Sequence, residues 1–298
     1  MDDIGPYFFW KYSTSINSGE ISAYRFFVLR FSRLYPLHFA TLIVIALLQV
    51  IYIRTHGTSF VYRNNDAFHF TLQLAFASNW IDELPMTFNG PIWSVSVEVL
   101  ICAFFFVVAS FLRPGLKLSL VLCLVVTVAE RAAGQIYAQN VFQCMIFFFA
   151  GGAMQAISAS LSRRQKLVGF GVCVLGLCLS IATNFRLGSV IGFSFFAVAA
   201  FALLDEVVPL RRSALTNVGD LTYASYLLHF PIQLASVLVV DALGLSRDLF
   251  LAPGALVAFI LGTFGSAWIV FRIFEMPAQD ALRAAWLRRR ERVAVATA

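Results

Sequence analysis

Charged residues are scarce in this sequence. They make up 13% of its 298 residues, against about 25% in a typical soluble domain, while hydrophobic residues reach 60%, against roughly 45–50%. Mean hydropathy is +0.80, and 31 residues are Phe. The composition therefore excludes a soluble globule, a disordered chain and a small disulfide scaffold. Because the apolar runs are long and continuous, it also excludes a transmembrane β-barrel.

Cysteine is scarce as well, and the chain has only five. All five lie inside apolar runs, so we interpret them as small buried hydrophobes and not as disulfides or metal ligands. No group of His, Cys, Asp and Glu has the spacing of a metal site, and the sequence predicts no metal. The net charge of +6 does not indicate nucleic acid, because the cations lie between the apolar runs.

The apolar runs predict an all-α polytopic membrane protein, with about eight transmembrane helices in one bundle. A spanning helix needs about 20 mostly apolar residues. A shorter apolar stretch, 67–79, predicts a re-entrant or interfacial helix. No linker or repeat divides the chain, so residues 1–298 form a single transmembrane domain. The eight predicted spans are roughly 34–53, 92–112, 116–133, 141–158, 167–184, 188–204, 222–242 and 250–274.

The distribution of cations predicts the orientation in the membrane. If the N-terminal segment is cytoplasmic and the eight spans alternate, 17 of the 22 Lys and Arg residues fall in inner segments. Cytoplasmic loops carry such an excess. We therefore expect both termini in the cytoplasm and a multi-pass protein of the cytoplasmic (inner) membrane.

Two arginines stand at the cytoplasmic mouth of the first span. Arg30 and Arg33 are about one helical turn apart and share a face, with Tyr35 just beyond them. Two guanidinium groups on one face suit phosphate binding. Spacing alone equally allows them to anchor the helix at lipid headgroups.

A second polar segment begins the next span. Asn89 is placed to cap this helix, and Ser94 and Glu98 then share a face beside Trp93. Glu98 would lie about 9 Å along the helix, in the outer half of the apolar slab. A carboxylate there suits proton transfer. The alternative is a buried carboxylate that is tied to an arginine or a backbone group only to fix helix packing.

A third segment carries Tyr226 and His229, which form a polar stripe on one face of the seventh span together with Gln233. The stripe indicates either a reactive histidine or a hydrogen-bonded packing residue. At the end of the last span, Glu275 can pair with Arg272 or with the face of Arg30 and Arg33. Beyond it, the basic cytoplasmic tail 279–298 reads as a membrane-surface anchor.

These segments, in this order, resemble the acyltransferase-3 family of integral-membrane acyltransferases. The matching pieces are Arg-Phe-Ser-Arg-Leu-Tyr-Pro from Arg30, Asn-x3-Trp-Ser-x3-Glu from Asn89, Leu-Thr-Tyr-Ala-Ser-Tyr-Leu-Leu-His-x-Pro from Leu221, and Phe-Glu-Met-Pro from Phe274. The resemblance implies transfer of an acyl group, most simply acetyl, from acyl-CoA to a hydroxyl of a cell-envelope or exported carbohydrate. Acyl-CoA is then a co-substrate, and no cofactor is expected.

The resemblance also implies roles for individual residues. By the resemblance, Arg30 and Arg33 hold the donor, and Trp93, Ser94 and Glu98 belong to the active site. Together with the polar segments described above, this makes Glu98 and His229 the predicted catalytic residues. Substrate-binding or supporting roles are predicted for Tyr35, Asn89, Trp93, Ser94, Tyr226 and Glu275.

One feature of the family has no counterpart here. Members begin with an Arg-x10-His motif in a first span, and its histidine is regarded as the catalytic base. The first histidine of this chain is His38, so the sequence predicts a member that lacks two N-terminal spans, and this form would be inactive if the loss is real. Two other functions stay open, a transporter or flippase for a carbohydrate or lipid intermediate and a non-catalytic membrane scaffold. Binding of acyl-CoA separates the first function from these.

Overall fold

The computed structural model of the chain describes residues 6–80, 85–113, 115–133, 139–183 and 212–296, with five isolated positions between 192 and 203. Within these residues the regular structure is entirely helical. Besides α-helices, these residues include a 3₁₀ turn, Arg247–Leu251, and a π-helical turn, Phe271–Glu275. The α-helices are α1 Pro6–Asn17, α2 Ala23–His56, α3 Ala67–Leu74, α4 Ile92–Phe111, α5 Leu116–Ala133, α6 Gln139–Ser160, α7 Arg163–Ala182, α8 Arg212–Ala242, α9 Pro253–Val270 and α10 Met276–Ala296.

Six of the described helices are long and apolar enough to cross a membrane. The prediction of an all-α polytopic membrane protein is confirmed. The count of eight spans stays a prediction, because 188–204 lies almost wholly outside the described residues and α5 is not among the six. The six candidates are Ala23–His56, Ile92–Phe111, Asn140–Ser158, Arg163–Ala182, Leu221–Ala242 and Pro253–Leu287.

The longest of these helices, α2, organises the bundle. Its 34 residues extend about 50 Å at 1.5 Å per residue. Ser22 caps its start by accepting a hydrogen bond from the Arg25 amide. Gly57 ends it in the left-handed conformation, with φ 73°, which glycine adopts without steric cost. Helix α8 packs along α2, with Leu34 and Leu37 meeting Tyr223 and Leu227 in one buried cluster.

The segment between α2 and α4 folds back into the bundle. The buried His38 ring on α2 bonds through Nε2 to the Gln73 carbonyl at 2.8 Å, and Gln49 pairs with the backbone of Phe60. Helix α3 lies inside the predicted stretch 67–79. After α3 the chain returns toward α2. As a result, Ile92, the first residue of α4, packs in the same buried cluster as Leu34 and Leu37 of α2.

This returning segment has an unusual backbone. Val61, Phe76 and Phe88 have φ of 58°, 55° and 41°, a region that side-chain-bearing residues adopt only where the surrounding structure holds them. Phe76 is held by its ring contact with His38 at 4.5 Å and by its carbonyl, which accepts a hydrogen bond from Ser96. The segment is thus fixed by tertiary contacts.

Helices α9 and α10 continue one another through the π-helical turn. Met276, which follows the turn, donates its backbone N–H to the Phe271 carbonyl. Glu275, the last residue of the turn, is buried. Helix α10 then runs antiparallel to the first turns of α2, since Arg283 contacts Ser32 and Trp286 contacts Tyr24. The predicted tail is therefore helical and packs on α2.

Candidate active site

Arg30 and Glu98 form a largely buried ion pair. Arg30 Nη1 lies 3.9 Å from Glu98 Oε1, and the two side chains are 10% and 15% exposed. The Arg30 guanidinium also lies 5.6 Å from the centre of the Tyr12 ring on α1, a cation–π distance. The sequence predicts Arg30 at the cytoplasmic mouth and Glu98 in the outer half of the membrane, and this short separation shows that the two predictions cannot both hold. The returning segment starts α4 deep in the bundle, so six residues later its carboxylate is level with Arg30.

Arg33, Tyr223 and Glu275 lie near enough to Glu98 or to one another to interact electrostatically. The charge of Arg33 acts on Glu98, and Tyr223 lies within electrostatic reach of Glu98, Glu275 and Arg33. Tyr223 is held in place because its hydroxyl donates a hydrogen bond to the Leu34 carbonyl at 2.5 Å. The structure thus gathers two guanidinium groups and two carboxylates from α2, α4 and the π-helical turn into one region. Their formal charges balance, which lowers the cost of burying them.

A second group of polar side chains joins α4 to α8. Ser94 Oγ donates a hydrogen bond to the Tyr226 hydroxyl at 2.9 Å. His229 Nδ1 lies 2.7 Å from the Tyr226 carbonyl. Because a carbonyl only accepts, Nδ1 carries the proton of the neutral ring, and Nε2 presents its lone pair. His229 is only half-buried, so this lone pair is placed to accept a proton.

Asn89 does not cap α4, contrary to the sequence prediction. The start of this helix has no side-chain cap, and Asn89 Nδ2 instead donates a hydrogen bond to the Leu227 carbonyl on α8 at 3.2 Å. The reason is that the buried segment before α4 directs the side chain across to α8. Asn89 therefore stabilises the contact between α4, which carries Ser94, and α8, which carries His229.

Tyr62 is a neighbour of this group that the sequence did not indicate. Its ring packs on Phe230 at 5.2 Å, and burial together with the nearby Tyr226 raises the pKa of its phenol. A Cβ atom at residue 90 would overlap the end of the Tyr62 ring, so any residue other than glycine there would displace that ring. A tyrosine in a polar connection gives no signal of this kind in the sequence.

Comparison with models of known protein families identifies the family of this chain. A model described as an acyltransferase domain matches residues 6–272, most of the chain. The chain belongs to the acyltransferase-3 family. Comparisons with curated proteins and with solved structures found no match. Membership, together with the apolar helices, makes this protein a multi-pass membrane acyltransferase in general terms.

The remaining predicted residues of the acyltransferase lie outside the two polar groups. Tyr35 belongs to an aromatic ladder on α2, stacked on Phe31 at 4.3 Å and on Phe39 at 6.2 Å. Trp93 is half-buried and packs against the apolar cluster formed by α1, α4 and α6. The structure thus gives both residues packing contacts, and their roles at a substrate stay predictions.

No group of three or more metal-ligating side chains occurs in the described part of the acyltransferase. The two polar groups themselves offer charge pairing and proton transfer by side chains. Glu98 and His229, which the sequence predicts together as catalytic, lie in different groups, and their environments differ. Glu98 is held by a buried cation, whereas His229 has a fixed ring with one nitrogen available.

Proposed function

We propose that this protein transfers an acyl group, most simply acetyl, from acyl-CoA to a hydroxyl of a cell-envelope or exported carbohydrate. Membership of the family supports the reaction class. The cation distribution supports a place in the cytoplasmic membrane with both termini inside, so that the first turns of α2 face the cytoplasmic acyl-CoA.

The observation that carries the proposal is the orientation of His229. With Nδ1 bonded to the Tyr226 carbonyl, Nε2 has no hydrogen-bond partner among the described residues and can take the proton of the acceptor hydroxyl. The hydroxyl oxygen then attacks the thioester carbonyl, an ester forms, and the carbon–sulfur bond breaks. The proton returns from Nε2 to the CoA thiolate. Ser94 and Tyr226, which bond to each other, supply hydroxyl groups beside the reacting atoms.

The two arginines have different tasks in this proposal. Arg30 is paired with Glu98, so Glu98 acts as a positioning residue that holds Arg30 charged and in place. Arg33, one turn later and half-buried, contacts a phosphate of the donor. Guanidinium groups bind phosphate with two parallel hydrogen bonds, which favours arginine over lysine at such a position.

Equilibrium binding of acetyl-CoA to the purified protein in nanodiscs tests this assignment. We expect Arg33→Gln to weaken binding about tenfold or more, the loss of one charged hydrogen-bonding group. Arg33→Lys should recover only part of the affinity. The control is Arg54→Gln, an exposed arginine at the far end of α2, which should bind as the wild type does. Equal affinity in Arg33→Gln, or no binding by the wild type, would overturn the donor site.

A further inference from the structure

Helix α10 is fixed against the first turns of α2, although it lies beyond residue 272, where the family match ends. The Trp286 ring stacks on Phe31 at 5.4 Å and on Phe27 at 6.1 Å, nearly parallel to both. The Tyr24 hydroxyl donates a hydrogen bond to the Trp286 carbonyl at 3.1 Å. These contacts set both the rotation and the register of α10 on α2.

Arg283 stands one turn before Trp286 and reaches α2. Its Nε donates a hydrogen bond to Ser32 Oγ at 3.1 Å, and Ser32 is itself buried and donates to the Leu29 carbonyl. Because Ser32 directly precedes Arg33, the guanidinium of Arg283 lies beside the turn that carries Arg33. The stacked Trp286 and the bond to Ser32 hold it there in advance of any ligand.

The outer edge of the Arg283 guanidinium is available. Within the described ranges, the bond to Ser32 is the one hydrogen bond of Arg283, and it forms no ion pair. Asp280, one turn earlier on α10, is exposed and does not pair with it. Arg30, in contrast, has Glu98 at 3.9 Å. The half-buried Arg283 thus brings a positive charge to the start of α2, and no acidic side chain among the described residues pairs with it.

We propose that α10 adds a phosphate-binding site to the family domain, formed by Arg283 at the start of α2, beside the turn that carries Arg33. The Nη edge of Arg283 matches two phosphate oxygens, and its fixed position reduces the entropy lost on binding. Two sources offer this chemistry, the nucleotide phosphates of acyl-CoA and a lipid headgroup. The assignment to acyl-CoA rests on the proposed function. The phosphate site itself rests on the geometry of Arg283.

The test compares wild type and Arg283→Gln, both as the full chain in nanodiscs of neutral lipid, with acetyl-CoA and with acetyl-pantetheine, which has no nucleotide. We expect Arg283→Gln to weaken acetyl-CoA binding about tenfold and to leave acetyl-pantetheine binding unchanged. Ser32→Ala keeps the charge but removes its anchor, and should give a smaller loss. Arg164→Gln, an exposed arginine on α7, is the control.

A second arm uses nanodiscs with and without an anionic phospholipid, and follows retention of that lipid by the detergent-extracted protein. If Arg283→Gln loses only the lipid, the site holds a headgroup phosphate. Normal acetyl-CoA binding and lipid retention in Arg283→Gln would overturn the site. If the wild type binds no acetyl-CoA while Arg283→Gln still lowers lipid retention, the proposed function is wrong but the phosphate site stands.

Discussion

Glu98→Gln is expected to lower the stability of the purified protein sharply. The substitution keeps the shape of the side chain but removes the negative charge beside Arg30, whose side chain is only 10% exposed. Removal of one member of a buried ion pair costs about 3–5 kcal/mol. Thermal unfolding in detergent, followed by tryptophan fluorescence, should show a midpoint well below that of the wild type. Activity should fall with the folded fraction.

Two variants sharpen this measurement. The double variant Arg30→Met/Glu98→Gln removes both charges and should regain most of the lost stability, since no buried ion is left without a partner. Glu20→Gln, at an exposed position before α2, should unfold as the wild type does. If Glu98→Gln instead kept full stability and lost all turnover, Glu98 would be a catalytic carboxylate and the positioning role would be wrong.

His229→Gln is expected to lower turnover by about 10²–10⁴-fold, the usual contribution of a general base. Glutamine keeps a polar side chain of similar size but cannot accept the proton. Because the proposal gives His229 the proton of the acceptor and not the phosphates of the donor, acetyl-CoA should bind with unchanged affinity. The measurement is acetyl-CoA consumption by membranes that contain the variant, alongside a binding isotherm.

Tyr226→Phe and His69→Gln are the matched controls. Tyr226→Phe removes the hydroxyl bonded to Ser94 but keeps the backbone carbonyl that orients His229, so its loss should be much smaller. His69 pairs with Asp66 on α3, away from the site, and its replacement should leave turnover unchanged. Undiminished turnover in His229→Gln would exclude it as the base.

Local patterns in the sequence predicted the helical elements well. Long apolar runs predict membrane helices because lipid leaves the backbone no other partners. The spacing of Tyr226 and His229 placed them on adjacent turns of one helix, and the structure joins them through a backbone hydrogen bond. Motif residues on α2, α4 and α8 could likewise be identified from the sequence.

The depth of Glu98 could not be predicted, because it depends on how the segment after α2 returns. That path is set by contacts such as His38 with Gln73 and Asn89 with Leu227, which join residues far apart in sequence. Positive φ at Phe76 and Phe88 gives no residue-type signal of the kind that glycine would provide. If each span is assumed to start at a membrane surface, Glu98 and Arg30 are therefore predicted to lie far apart.

The role of α10 was also beyond local reasoning. A basic segment with a tryptophan is typical of membrane-surface helices, and that position stays a prediction. Its contact with α2 depends on the π-helical turn at Phe271–Glu275 and on the aromatic faces of Phe27 and Phe31. Neither feature shows in the periodicity of α10 itself.

The most direct test of the central claim is acyl transfer in membranes of cells that produce the protein. The membranes receive acetyl-CoA with a radiolabelled acetyl group, and alkali-labile label is measured in the carbohydrate fraction. We predict label that depends on the protein and is nearly lost in membranes with equal amounts of His229→Gln. Equal label in both, or no label above membranes without the protein, would contradict the account.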